Sequence, residues 1–265
     1  MARPSGLSAA FAMGRPALVA YLMAGYPDRA TSIASVRAAA AAGADLIELG
    51  VPYADPLADG PVIVDAANAA RAAEGGFGLA ETLAVAAELA ADTAMPPIAL
   101  MTYLNPMLSY GLPRLAADAA SAGVGGFIVP DLPPDNPMTA SWRTASAPLG
   151  IDTVFLVAPT STPDRIRTVA EASSGFIYVV SSVGVTGERD ELPPGLGELV
   201  ARVRQGRRGG MPIAVGFGVS DARTAAAVAT LADGVIVGSA IVKRQADPAE
   251  VARFVAGLAA AVHGV

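Results

Sequence analysis

Residues 42–49, Ala42-Gly43-Ala44-Asp45-Leu46-Ile47-Glu48-Leu49, contain the unit from which the fold is read. An alanine-rich stretch runs into Gly43, and a short aliphatic segment follows at once. Glycine readily takes the left-handed backbone conformation that stops a helix, so the pattern predicts a helix ending here and a strand starting near Ala44. The join recurs as Ala122-Gly123-Val124-Gly125 and, more loosely, as Leu231-Ala232-Asp233-Gly234. Outward from these joins, short β-branched or aliphatic runs occupy residues 17–23, 44–49, 97–101, 125–129, 153–157, 175–180, 212–215 and 234–237. Most are separated by enough chain for a helix, as crossovers between parallel strands require.

A repeated helix-to-strand unit fits either a closed barrel or an open doubly wound sheet. Two features favour the barrel. There are eight candidate strands, and polar or glycine-rich residues follow the second, third, fourth, sixth, seventh and eighth of them, whereas an open sheet concentrates its site at one switch point. The expectation is an α/β fold, a (β/α)8 TIM barrel forming one domain over residues 1–265, with a short extra N-terminal helix covering the barrel bottom. The interval after Leu49 has room for a loop and two helices, near residues 62–73 and 79–91. Residues 181–195, rich in glycine, charge and proline, read as a lid or binding loop, with an ordinary surface loop as the competing reading.

Composition narrows the chemistry. The 265 residues are 53% apolar, ample for a large core, and carry 18 basic against 24 acidic residues for a net charge of -6. The positive charges are scattered, which argues against nucleic acid or an anionic membrane as the main partner. Without cysteine, disulfides and thiolate catalysis are excluded. The sole histidine, His263, is expected on the surface of a last helix or tail, so no metal site is expected. The sole lysine, Lys243, lies in a Lys-Arg-Gln run expected to face solvent, which disfavours Schiff-base chemistry. No secretion signal or membrane span is recognisable, and a cytoplasmic setting is expected.

Carboxylates are the remaining acid–base groups. Glu48 interrupts an apolar strand; at a strand end in an apolar mouth its pKa would rise towards the range useful for proton transfer. A structural Glu paired with arginine or backbone amides is the other reading. Asp59 follows in Val51-Pro52-Tyr53-Ala54-Asp55-Pro56-Leu57-Ala58-Asp59-Gly60-Pro61, a restricted loop that could hold it above Glu48 or use it to cap the next helix. Asp55, before Pro56, reads locally as a turn cap. Tyr178, closing the sixth strand, either orients Glu48 or packs in the core, while Tyr21, Tyr103 and Asn105 are weaker candidates for the same mouth.

Three glycine-bearing turns follow the last strands: Gly184-Val185-Thr186-Gly187, Gly216-Phe217-Gly218-Val219-Ser220 and Gly238-Ser239-Ala240. Exposed backbone N–H groups there can hold a phosphate without Lys or Arg, and barrel phosphate sites often use the loops after strands seven and eight. Neither a P-loop nor a dinucleotide-binding glycine fingerprint with its acidic partner is present.

With these residues identified, the sequence resembles the tryptophan synthase alpha subunit family. The run from Glu48 to Pro61 is similar to that family's signature after strand two, and the similarity continues through Tyr103-Leu104-Asn105-Pro106, Pro130-Asp131-Leu132-Pro133, Tyr178-Val179-Val180-Ser181 and the three glycine turns. The resemblance implies aldol-type cleavage of indole-3-glycerol phosphate to indole and glyceraldehyde 3-phosphate. It assigns Glu48 as general acid and base, Asp59 to the indole N–H and Tyr178 as a support. It places phosphate on Gly187, Gly216, Gly218, Gly238 and Ser239, and the indole against Tyr21 and Tyr103. It implies no cofactor in this chain and a pyridoxal-phosphate beta subunit as partner, in an alpha-beta-beta-alpha heterotetramer, with Asp55, Pro56, Asn105 and Asp131 suited to docking. One departure is Ser181-Ser182-Val183, where some family members carry an arginine followed by serine after the first serine.

Overall fold

A computed structural model describes residues 6–73, 75–181, 192–207, 209–216 and 218–265. Its strands are β1 (Ala17–Met23), β2 (Leu46–Gly50), β3 (Ile98–Met101), β4 (Val124–Ile128), β5 (Asp152–Val154), β6 (Leu156–Val157), β7 (Ile177–Val180), β8 (Ile213–Gly216) and β9 (Gly234–Val237). They form one parallel sheet in the order β5-β4-β3-β2-β1-β9-β8-β7-β6. The two edges, β5 and β6, belong to one stretch of chain, the fifth expected strand, divided at Phe155. β5 pairs with β4 and β6 with β7, so the sheet nearly closes on itself as a (β/α)8 barrel. Ser174 N donates to Thr153 O at 2.9 Å and Tyr178 N to Phe155 O at 3.1 Å, stitching the seam. The expected sixth, seventh and eighth strands are therefore β7, β8 and β9.

The expected joins hold in two of three places. Gly43 has φ 105° and Gly123 φ 73°, the left-handed values that release the chain from helices Arg29–Ala41 and Leu112–Ser121. The third differs: helix Ala222–Ala229 ends before Thr230, and Gly234 opens β9 because an added Cβ would sit 2.6 Å from Phe11 Cε1. The two helices after β2, Pro61–Ala72 and Leu79–Ala90, lie within a residue of expectation.

Strand alternation divides the core in two. Val19, Tyr21, Met23, Leu46, Ala99, Met101, Ile128, Tyr178, Val180, Ala214 and Ile236 form the barrel interior. Leu18, Ala20, Leu22, Ile47, Leu49, Leu100 and Phe127 face outward and pack under the helices. A 3-10 helix, Leu7–Phe11, plugs the end opposite the strand C-termini. Leu7 is fully buried and its N–H donates to Asp152 Oδ2 at 2.9 Å. Gly126 leaves room for it: a Cβ there would lie 2.6 Å from Leu7 Cδ1. The bottom is filled, which leaves the C-terminal mouth for chemistry.

Two surface expectations are corrected. His263 is not simply solvent-facing; its Nε2 lies 2.8 Å from Asp45 Oδ2, and Arg15 grips the same carboxylate at 3.0 and 2.8 Å. Burial works to raise the Asp45 carboxyl, but bonds from Arg15, Leu18 N and His263 together hold it below the usual carboxylate range. In the Lys243-Arg244-Gln245 run only Lys243 is exposed; Arg244 stacks on Phe254 and Gln245 is fully buried. No described helix is long and apolar enough to cross a membrane.

Candidate active site

Glu48 sits at an inward position of β2, in register with Tyr21 of β1 and Ala99 of β3. It is fully buried, and neither carboxylate oxygen has a hydrogen-bond partner among the described residues. Among the described residues no arginine or backbone amide pairs with Glu48, as the structural reading would require. Burial, reinforced by the charge of Asp59, pushes Glu48 up to about 8. A carboxyl so poised holds a proton at neutral pH and can also release it.

Asp59 lies on the loop after β2. The helix that follows is capped at Gly60 with Pro61 in its first turn, so Asp59 is not its N-cap residue. Its Oδ1 is buried without a partner, and burial pushes the group up to about 6 against the lowering effect of a hydrogen bond from Tyr103. Tyr103 in turn accepts from Ala58 N at 3.2 Å, which fixes the loop carrying Asp59. Burial first, and then Asp59, hold the Tyr103 phenol far above its ordinary value. Tyr21 and Tyr178 are likewise raised, mainly by burial and then by both carboxylates. Glu48, Asp59, Tyr21, Tyr103 and Tyr178 therefore form one electrostatic cluster.

Both interior tyrosines lean across onto a neighbouring strand. The Tyr21 hydroxyl occupies the space a side chain at Gly50 would need, and the Tyr178 hydroxyl does the same at Gly216. Gly216, expected at the phosphate, thus also makes room for Tyr178. Gly218 has φ 98°, a conformation that L side chains rarely adopt. Gly238 follows β9, and a Cβ there would touch the Tyr21 ring at 3.7 Å. Ser239 beside it is buried at the start of helix Ser239–Val242. Tyr21 thus lies between Gly238, one of the glycines expected at the phosphate, and the acid pair. Gly187, with Ser182 and Val183, lies outside the described residues.

The docking candidates separate. Asp55 and Asn105 are exposed and Pro56 is half-buried at the mouth, where Asn105 Nδ2 donates to the Tyr53 hydroxyl at 3.2 Å. Asp131 has local work: its carboxylate accepts from Leu104 N at 2.9 and 3.2 Å, holding the start of helix Leu104–Tyr110. Sequence reasoning passed over Leu57 and Leu108, 69% and 43% exposed, beside these residues. An apolar residue inside the turn-rich Asp55-Pro56-Leu57 segment was the available signal. Among the described residues no cluster of three or more His, Cys, Asp or Glu could hold a metal ion.

A parallel barrel whose C-terminal mouth holds two carboxyls raised by burial, Glu48 without a hydrogen-bond partner among the described residues and Asp59 bonded by Tyr103, defines an acid–base enzyme of the (β/α)8 class. Comparison with known proteins specifies which one. The family model for the tryptophan synthase alpha chain matches residues 7–262. The alpha chain of Thermobifida fusca is 46% identical over 92% of this chain and 89% of its own length. That of Chloroflexus aurantiacus is 45% identical over 88% and 85%. Tryptophan synthase of Mycobacterium tuberculosis superposes with a TM-score of 0.89 at 42% identity, covering 98% of both chains. The chain belongs to the tryptophan synthase alpha chain family, and its activity is that of the indole-3-glycerol phosphate lyase of tryptophan biosynthesis.

Proposed function

We propose that cleavage of indole-3-glycerol phosphate runs through Glu48 and Asp59, and the observation that carries this reading is the pair of Glu48 oxygens inside the barrel, buried with no hydrogen-bond partner among the described residues. A buried polar group without partners costs about 1–3 kcal/mol, a strain that a bound substrate relieves. Glu48 delivers its proton to indole C3, which breaks the ring's aromaticity and makes it an electron sink. Asp59 accepts the indole N–H and stabilises the cationic ring. Glu48, now ionised, assists removal of the proton from the glycerol hydroxyl next to the scissile bond. The C–C bond then breaks, its electron pair restores indole, and the hydroxyl carbon leaves as the aldehyde of glyceraldehyde 3-phosphate. No metal, amine or redox step enters this balance.

Tyr178 supports Glu48, Tyr21 and Tyr103 line the indole pocket, and Gly216, Gly218, Gly238 and Ser239, with Gly187, hold the phosphate. The partner is a beta subunit carrying pyridoxal phosphate, joined in an alpha-beta-beta-alpha heterotetramer in the cytoplasm. Asp55, Pro56 and Asn105 are its docking face, to which the exposed Leu57 and Leu108 add apolar area, and Asp131 supports that face through Leu104. The test is indole release from indole-3-glycerol phosphate, with and without a cognate beta subunit. Glu48→Gln and Asp59→Asn should each lower turnover by about 10²- to 10⁴-fold while remaining folded. Near-wild-type turnover in either folded variant removes that residue from the mechanism.

A further inference from the structure

Gln245 is fully buried and lies beyond the phosphate-side segment Gly238-Ser239. Its Oε1 accepts from Met23 N at 2.9 Å, and its Nε2 donates to Met23 O at 2.6 Å and Tyr26 O at 2.7 Å. Its own main-chain carbonyl accepts the Ser35 hydroxyl at 2.7 Å. The ladder between β1 and β9 ends at Ala20 and Val237, whereas the ladder to β2 continues to Met23 and Gly50. On the β9 side, therefore, the Gln245 amide satisfies Met23 where no strand does. A neutral amide suits the place because one acceptor and two donors are needed in a dry environment. On the other side, Arg244 Nη1 donates to Ala240 O at 2.6 Å, and its guanidinium lies 4.0 Å from the centre of the Phe254 ring. The Ser239 segment is thus tied to the last helix by Arg244 and to the end of β1 by Gln245. Two residues before Met23 is Tyr21, whose ring meets Gly238 and whose hydroxyl reaches Gly50, two residues beyond Glu48 in the adjacent strand β2.

We propose that Gln245 is a positioning residue that sets the distance between the Gly238-Ser239 phosphate segment and the Tyr21, Glu48 and Asp59 side of the mouth. This rests on the phosphate reading above. A substrate that spans both sides depends on that distance, while an ion held by the phosphate segment alone does not. Displacement of reacting groups by about 1 Å costs about 10²-fold in rate.

The experiment compares substrate cleavage with competitive inhibition by inorganic phosphate in the full chain assembled with its beta subunit. Gln245→Met, similar in volume but without the three bonds, should lower kcat at least about tenfold, with the phosphate inhibition constant within about twofold and the pH limbs of kcat/KM unmoved. Ser35→Ala, which loses only the bond to the Gln245 main chain, should cleave at close to the wild-type rate. Cleavage by folded Gln245→Met within about twofold of wild type overturns the proposal, as does a parallel loss of phosphate inhibition or an equal loss in Ser35→Ala. If Gln245→Met does not fold, Gln245→Glu, which keeps the bond from Met23 N and loses both donated bonds, carries the same expectation and criterion. Gly218→Asp tests the phosphate reading separately. Weakened phosphate inhibition supports that reading, and unchanged inhibition refutes it whatever Gln245 does.

Discussion

Replacing Glu48 with Gln should make the protein less active and, above acidic pH, more stable, by an amount that grows with pH. Glu48 rises from an ordinary 4.5 to about 8 on folding, chiefly through burial. Between those values the folded chain keeps a proton that the unfolded chain has lost, so stability falls as pH rises. Each unit is worth 1.36 kcal/mol, giving a penalty of about 3 kcal/mol near pH 7 and about 5 kcal/mol above pH 8. Glutamine does not titrate and escapes this penalty. Its amide also lacks partners, a cost of about 1–3 kcal/mol, but that cost is the same at every pH and leaves the slope untouched. The titration of Asp59 is present in both proteins and largely cancels in the difference. Urea unfolding of wild type and Glu48→Gln at about pH 5, 7 and 9 measures the stability difference directly. A difference of the same size at all three pH values would refute the claim that Glu48 is buried and raised.

Two further outcomes follow from the geometry. Tyr103→Phe removes the hydrogen bond that lowers Asp59, so Asp59 should rise further above about 6 and the acidic limb of kcat/KM should move to higher pH; an unmoved limb would separate Asp59 from that limb. Leu7→Ala empties the fully buried bottom plug and should destabilise the fold by about 2–5 kcal/mol in urea unfolding with KM unchanged, and a raised KM would show that the plug shapes the mouth.

The local features were legible because their causes are local. Gly43 and Gly123 end helices through their own φ angles. Strand alternation identifies the inward residues of β1 and β2. Glu48 stood out because a carboxylate in an aliphatic strand contradicts its neighbours. The misses share the opposite property. His263 meets Asp45 and Gln245 meets Met23 across more than two hundred residues, and no pattern near either end announces the contact. The division at Phe155 reflects the closing of the sheet, as β5 follows β4 and β6 follows β7, a constraint set by the whole ring.

Sequence alone determined the repeated helix-strand unit, the eight-strand count and the unusual carboxylates, since backbone preference and side-chain period act between neighbours. Its resemblance to a known family supplied the expected reaction. Whether Glu48 was a paired structural acid or a buried group without a partner was decided only by tertiary structure. That depends on which side chains β1, β3, β7 and the Asp59 loop bring around it, and desolvation is a property of the assembled barrel rather than of any segment.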